Sequence, residues 1–210
     1  ELDFGTGSFT VSAWIKTSAA TAGMVFSSNP RYIWIRQNKV QVRFSSTASD
    51  DIILVGNKVV NDGNWHHVVV VLDATATALI IYVDGDEDNK STNSIYGPSS
   101  LTGNDFGNYS LIGAYSDTSG VIDDKNWYWF SGSIAQVALW DEALSASAVK
   151  SIYNGGVPTN LKQTFGNYSE SSNLVGWWAM GDGVVNPDLW LKFEDSLDSS
   201  PNNITTTFVN

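Results

Sequence analysis

Short segments with the residue pattern of β-strands recur about every 10 residues, and this spacing constrains the fold more than any other feature of the chain. Residues 9–16 alternate apolar and polar side chains, as a strand with one buried face does. Residues 68–72 are apolar throughout, which is typical of a strand covered on both faces. Further strands are predicted at 24–27, 31–36, 39–44, 52–55, 65–73, 78–84, 110–115, 127–140, 174–180, 189–193 and 204–209. The series predicts a mostly β chain.

Turn-forming residues separate the predicted strands. Gln37-Asn38 joins two of them as a hairpin, whereas 84–109 is a long polar connection that begins at Asp84-Gly85. One helix is predicted over residues 146–153, because Ser145 can cap its first turn and a Gly-Gly pair followed by Pro can end it.

Charge and cysteine content exclude several classes of protein. The 210 residues include 22 acidic and 11 basic side chains, for a net charge of −11, so an electrostatic nucleic-acid binder is not expected. The lack of cysteine excludes disulfides and thiolate metal sites. No apolar run is long enough to cross a bilayer, so membrane insertion is not expected. Because the chain begins at Glu1 rather than Met, we expect it to be part of a larger protein.

Three motifs in order resemble the laminin G-like, concanavalin A-like domains of bacterial, viral and other extracellular proteins. They are FTVSAWI at 9–15, DGNWHHV at 62–68 followed by YVDG at 82–85, and FSGSIAQVALW at 130–140 followed by 143–156. The resemblance covers about residues 1–156. It implies a jelly roll of two antiparallel sheets. It also implies binding of glycans or proteins, often with calcium.

The C-terminal part carries segments similar to the strand and acidic loop with which this family usually opens, upstream of where this chain starts. These segments are 174–182 and 190–202. We therefore predict a sandwich core over 1–160 and an extension over 161–210. The extension supplies the missing terminal strand or leads into the next repeat, and exchange of the strand between chains is the alternative.

Aromatic side chains beside predicted loops are candidates for sugar binding, since the CH face of a sugar stacks on a flat ring while polar groups bond its hydroxyls. The candidates are Tyr32, Trp34, Tyr115, Asp117, Trp127 and Trp129. Packing in the core or at a sheet edge is the alternative for each ring. All three arginines, Arg31, Arg36 and Arg43, lie on one predicted hairpin, where they contact an anionic glycan or pair with neighbouring carboxylates.

Three acidic loops are candidates for calcium, which prefers several oxygen ligands. They are 84–88, 117–124 and 194–198, and Asp123 with Asp124 is the preferred metal site. The acidic positions of laminin-type members are replaced here by Arg31 and Ala135, so calcium is not expected at that site.

The sequence offers no catalytic constellation. His66 and His67 are adjacent on a predicted strand, so their side chains point to opposite faces and cannot share one ligand. The Glu-x-Asp-x-Glu strand motif that pairs carboxylates in related glucanases does not occur. We therefore expect a binding protein rather than an enzyme, with a glycoside hydrolase as a remote alternative.

Two functions from different classes fit this reading. The first is a module of an adhesin-like, cell-surface or virion protein that binds carbohydrate or glycoprotein. The second is a structural or decoration module that holds a larger particle together and binds no small molecule. Both imply neighbouring modules as partners and a location outside the cell or on a virion.

Overall fold

A computed structural model of the chain describes residues 7–28, 31–45, 51–92, 110–115 and 128–180, with eleven strands and one α-helix. The strands are β1 Phe9–Lys16, β2 Gly23–Ser28, β3 Arg31–Arg36, β4 Lys39–Ser45, β5 Asp51–Val55, β6 Trp65–Asp73, β7 Ala78–Val83, β8 Asp86–Ser91, β9 Ser110–Ile112, β10 Ser133–Trp140 and β11 Leu174–Trp178. Helix α1 is Ala146–Tyr153, and two 3-10 turns follow at Asn154–Gly156 and Glu170–Asn173. No helix in these ranges is long and apolar enough to span a membrane.

The strands form two antiparallel sheets, as predicted for a jelly-roll sandwich. The six-stranded sheet has the order β11-β10-β1-β6-β7-β8, and the five-stranded sheet has the order β5-β4-β3-β2-β9. The inner faces of both sheets enclose the main core, in which Val11, Ile15 and Ile35 are almost fully buried. The apolar residues of the alternating pattern in β1 and β3 therefore lie on the two inner faces.

Strand β6 explains the continuous apolar run. Val68 and Val70 point into the main core between the sheets, whereas Val69 and Val71 belong to a second cluster on the outer face. Helix α1 covers that outer face, so β6 is buried on both sides.

Helix α1 forms as the sequence predicts. The hydroxyl of Ser145 accepts the backbone N–H of Ala148 at 3.1 Å, and Asn154 ends the helix in the left-handed conformation. Its buried residues, Ala148, Val149 and Ile152, pack in the second cluster together with Trp140.

The predicted long connection over 84–109 is wrong at its start, because Asp86–Ser91 is strand β8 and pairs with β7. Asp84 and Gly85 both have positive φ (57° and 78°), which is the geometry of a tight two-residue hairpin turn. Strand β8 lies at a sheet edge and is partly exposed, so it carries polar residues and its sequence resembles a loop. Residues 93–109 lie outside the described ranges.

Four other predicted strands are shorter than expected, and two of them, β7 and β11, end at Val83 and Trp178. Strand β9 ends at Ile112 and β10 begins at Ser133.

Strand β11 pairs antiparallel with β10, in the register Val137 opposite Trp178. This pairing places Leu174–Trp178 in the same sheet as β1. The division at residue 160 stays a prediction, and the predicted strands at 189–193 and 204–209 lie outside the described residues.

Candidate functional site

The outer face of the five-stranded sheet brings together three of the ligand residues predicted from sequence. Its cross-strand rows are Met24, Trp34, Gln41 and Val55, and Ser27, Tyr32, Arg43 and Ile53. Tyr115 and Tyr128 pack against this face from the segments beside it. We call the group Met24, Tyr32, Trp34, Tyr115 and Tyr128 the aromatic face.

Three tyrosine rings of the aromatic face contact one another in a row, the first pair tilted and the second stacked. Tyr32 lies 5.4 Å from Tyr115, and Tyr115 lies 4.5 Å from Tyr128, between ring centroids. Burial, with the neighbouring Tyr115 adding to it, raises the pKa of Tyr32, so its phenol stays neutral at physiological pH.

Of the two alternatives for Tyr32 and Trp34, the structure shows packing rather than an open ring. Only 6% of Tyr32 and 8% of Trp34 are exposed, so neither offers an open ring face to a sugar. The physical reason is that Tyr115 and Tyr128 cover them, a contact between distant parts of the chain. The indole N–H of Trp34 is buried and has no hydrogen-bond acceptor among the described residues.

Guanidinium groups border the aromatic face. The Arg36 guanidinium lies 5.7 Å from the Trp34 ring and that of Arg43 lies 6.0 Å from the Tyr32 ring, both within cation–π range. Arg31 is on the other side of the sheet, where it is buried 5.5 Å from the Phe9 ring. The predicted pairing of these arginines with carboxylates stays a prediction.

Trp129 is the single exposed aromatic residue among the described residues, with 38% of its surface exposed. Its backbone is held firmly, because Tyr128 O accepts the N–H of Met24 at 3.0 Å and Phe130 N donates to Gly113 O at 2.9 Å. Gly23 allows this close approach, since a Cβ there would clash with the backbone of Trp129. An exposed indole on a fixed backbone is a suitable platform for stacking.

The remaining predicted ligand residues, Asp117 and Trp127, and the predicted metal residues Asp123 and Asp124 lie outside the described ranges. Sequence reasoning missed Tyr128, although it stands between Trp127 and Trp129. No periodicity reveals its contact with Tyr115, because residues 128–130 form a turn rather than a strand.

The carboxylates of the acidic segment 84–88, one of the calcium candidates from sequence, bind separate partners. Asp84 contacts His66, Asp86 contacts Lys150 at 2.6 Å, and Asp88 accepts two backbone N–H groups of the β5–β6 loop. Asp84 lies in the turn before β8, and the register of β7 and β8 shifts between Ile81 and Tyr82, which leaves Asp88 in a β-bulge; the three carboxylates therefore do not share one face. Across the described part of the chain, no three potential metal ligands of the His, Cys, Asp or Glu type come together.

The adjacent histidines lie in different environments, as their alternation predicts. His66 lies between two carboxylates, and its hydrogen bond to Asp84 is the main reason why its pKa is raised. His67 stacks on Trp14 at 5.0 Å, and burial lowers its pKa to about 4. Neither ring reaches the aromatic face.

Comparison with known proteins gives a consistent picture. The family model described as "Concanavalin A-like lectin/glucanases superfamily" matches residues 1–150. The rat protein "Sushi, von Willebrand factor type A, EGF and pentraxin domain-containing protein 1" (Rattus norvegicus) is 34% identical over 126 residues, which are 60% of this chain. The mouse protein of the same name (Mus musculus) matches to the same extent. The match spans only 3% of the length of these relatives.

Solved structures share the fold at low sequence identity. The heptameric SAP-like pentraxin of Limulus polyphemus has a TM-score of 0.52 at 20% identity, covering 70% of this chain and 69% of that one. The CBM40 of the Ruminococcus gnavus IT-sialidase, bound to α2,3 sialyllactose, has a TM-score of 0.58 at 14% identity, covering 71% of this chain and 84% of that one.

Proposed function

The chain belongs to the concanavalin A-like lectin/glucanases superfamily, and from this premise we infer that it is a non-catalytic module that binds carbohydrate, free or carried on a glycoprotein. The CBM40 structure that shares its fold was solved with a sialylated sugar. The rat relative combines several domain types in one long chain, including a pentraxin domain. These likenesses support a binding module. We propose that it lies outside the cell, at the cell surface or on a virion, with neighbouring modules as further partners.

One observation carries the proposal. The exposed indole of Trp129 lies next in the chain to Tyr128, which is half-buried and stacks on Tyr115. Aromatic rings with a free face stack on the apolar CH surface of a sugar, while nearby donors fix its hydroxyls. Arg36 is exposed at the border of the same face and supplies such donors.

We propose a non-catalytic role because the carboxylates do not form the pair that a glycosidase needs. A retaining glycosidase needs two carboxyl groups about 5 Å apart, held beside the sugar. Strands of this chain carry no Glu-x-Asp-x-Glu motif. The carboxylates of Asp84, Asp86 and Asp88 are engaged by protein donors on the other sheet or at its edge. We therefore assign no catalytic residue.

We propose a calcium site only at Asp123 and Asp124, which lie outside the described residues. Adjacent carboxylates in a loop are suitable ligands for this ion. The ion would supply a positive charge and open coordination positions for sugar hydroxyls. A rise in melting temperature on adding calcium, abolished by Asp123→Asn with Asp124→Asn, is the expected result. An unchanged melting temperature contradicts the calcium assignment and leaves the sugar site intact.

The test of sugar binding is a glycan array probed with the fluorescently labelled chain, with calcium and with a chelator. We expect a restricted set of glycans to bind, and Trp129→Ala to reduce the affinity for them at least tenfold. Val175→Ala is the matched control, since Val175 is 46% exposed but lies on β11 of the other sheet. Binding that survives Trp129→Ala unchanged rejects Trp129 as the platform.

The second candidate function, a structural or decoration module, predicts a different outcome. No glycan binds on the array, and light scattering shows a stable multimer. That combination rejects carbohydrate recognition and favours assembly. A monomer that binds glycans excludes the structural alternative for this part of the chain.

A further inference from the structure

A small cavity lies on the outer face of the six-stranded sheet, far from the aromatic face. It is bounded by β1, β6 and β10 below, and by helix α1 and the segment 157–161 above. Its lining includes Ser12, Trp14, His67, Gln136, Thr159 and Leu161. The space open to the centre of a water molecule is ≈ 10 Å³.

A β-bulge lies beside this cavity. The register between β1 and β10 shifts between Ser12 and Trp14, because Gln136 takes a positive φ of 50°. The amide of Gln136 is turned towards β11, where it donates to Ala179 O at 3.0 Å and accepts from Trp177 Nε1 at 2.9 Å. Gln136 therefore lines the cavity while its polar atoms bond elsewhere.

Three polar atoms of lining residues are buried without a partner. None of the described residues hydrogen-bonds Ser12 Oγ, His67 Nδ1 or Thr159 Oγ1. Ser12 is 1% exposed and His67 is 2% exposed, so bulk water does not reach their side chains freely. Buried polar groups of folded proteins are satisfied with few exceptions, by protein atoms or by ordered water. Three exceptions around one cavity point to a common missing partner.

We propose that this cavity is a binding site for one ordered water molecule, hydrogen-bonded to Ser12 Oγ, His67 Nδ1 and Thr159 Oγ1. The water joins β1, β6 and the segment after α1, three parts of the chain that are distant in sequence. It thereby fixes the segment 157–161 on the sheet.

The chemistry of the lining favours water over an ion. None of the described residues that line the cavity is charged, so it offers no counter-charge to a metal ion or an anion. The volume is about the minimum for one water and is too small for an organic ligand. Water has two donors and two acceptors, and each hydroxyl can both donate and accept. Three partners are the usual number for a buried water.

The state of His67 agrees with this assignment. Its lowered pKa, caused by burial, keeps the ring neutral at physiological pH, so Nδ1 is either a donor or an acceptor. Water bonds either tautomer. The negative charge of Asp84 acts in the opposite direction and raises the pKa of His67, but its effect is smaller than that of burial. The same carboxylate accepts the backbone N–H of His67 at 3.0 Å.

The test is a high-resolution crystal structure of the whole chain at neutral pH, with NMR of the His67 ring nitrogens in solution. We expect density for one water within hydrogen-bond distance of at least two of the three atoms. We also expect the Nδ1 shift to show a hydrogen bond. A dry cavity in a crystal that resolves other buried waters overturns the proposal, as does direct bonding among the three side chains.

Substitutions add an independent readout. Thr159→Val keeps the shape of the side chain and removes one partner, so the Nδ1 shift of His67 changes. Thr164→Val is the matched control, because Thr164 is an exposed threonine that does not line the cavity, and it leaves that shift unchanged. An Nδ1 shift that Thr159→Val does not alter contradicts the shared water. If Thr159→Val fails to fold, the wild-type density and shift still decide the question.

Discussion

The imidazole Nδ1 of His66 lies 2.9 Å from Oδ2 of Asp84. The other carboxylate oxygen, Oδ1, accepts the backbone N–H of His67 at 3.0 Å. Asp84 is the first residue of the tight turn between β7 and β8, so one carboxylate fastens this turn to β6. The second nitrogen of His66, Nε2, meets Oδ1 of Asp62 at 3.1 Å. A neutral ring has only one N–H, so two carboxylate partners favour the charged form of His66.

Asp84→Asn is expected to lower the pKa of His66 towards its ordinary value and to reduce the free energy of unfolding by about 1–3 kcal/mol. Because the wild-type pKa of His66 is raised, its stabilisation is present at low pH and is lost as the pH rises through that pKa. The variant therefore loses more stability at pH 5.5 than at pH 8.5. NMR titration and urea unfolding measure both effects. The exposed Asp141→Asn is the control, and an unchanged His66 pKa in Asp84→Asn would contradict the prediction.

His67 should give the opposite dependence on pH. Burial lowers its pKa from 6.5 to about 4, so the unfolded chain binds a proton more readily than the folded one. Its contribution to stability is intact above pH 6.5 and is lost as the pH falls to about 4, by up to about 3 kcal/mol. His67→Phe keeps the stack on Trp14 and removes this titration. Equal slopes of stability against pH for wild type and His67→Phe would reject the argument.

Gly23→Ala should destabilise the fold by about 2–4 kcal/mol, because it adds a clash with the backbone of Trp129 to the strain of a positive φ. Gly63→Ala separates the two causes, since Gly63 has a similar φ (81° against 89°) and nothing within 4 Å of the added Cβ. We expect Gly63→Ala to lose only about 1 kcal/mol. Urea unfolding compares the two, and equal losses would show that the contact with Trp129 is unimportant.

Tyr168→Phe is expected to lower stability by about 1–3 kcal/mol. The Tyr168 hydroxyl accepts Trp140 Nε1 at 3.0 Å and donates to Leu161 O at 2.8 Å, all in the buried cluster beneath α1. Removing it leaves a donor and an acceptor unpaired. Tyr153→Phe is the control, since its hydroxyl has no hydrogen-bond partner among the described residues. Thermal melting that does not distinguish the two variants would contradict the prediction.

Truncation tests the role of the C-terminal extension. A chain that ends at residue 173 lacks β11, exposes the edge of β10 and loses the packing of Trp177 and Trp178. We expect it to be less stable by about 3 kcal/mol or more than a chain that ends at residue 180. Equal melting temperatures for the two chains would show that the sandwich core does not need this strand.

Local sequence was sufficient for most of the fold. The bounds of β1, β6 and α1 agree with the prediction residue for residue, because alternation, a two-sided apolar run and an N-cap are local signals. The sequence did not predict strand β8, because an exposed edge strand needs no apolar face. The first part of the predicted polar loop is therefore a strand.

For the candidate site, the sequence determined less and the tertiary structure determined more. Sequence indicated Tyr32, Trp34, Tyr115 and Trp129 by residue type, and the structure brings the first three to one sheet face. Only tertiary structure decided which rings are covered, because the packing of Tyr128 on Tyr115 joins segments that no local rule relates. The same holds for the cavity beside His67, whose walls come from three sheet strands, the helix and the segment after it. The periodicity of the sequence indicates on which face of a sheet a side chain lies, whereas its exposure depends on which other segments pack over that face.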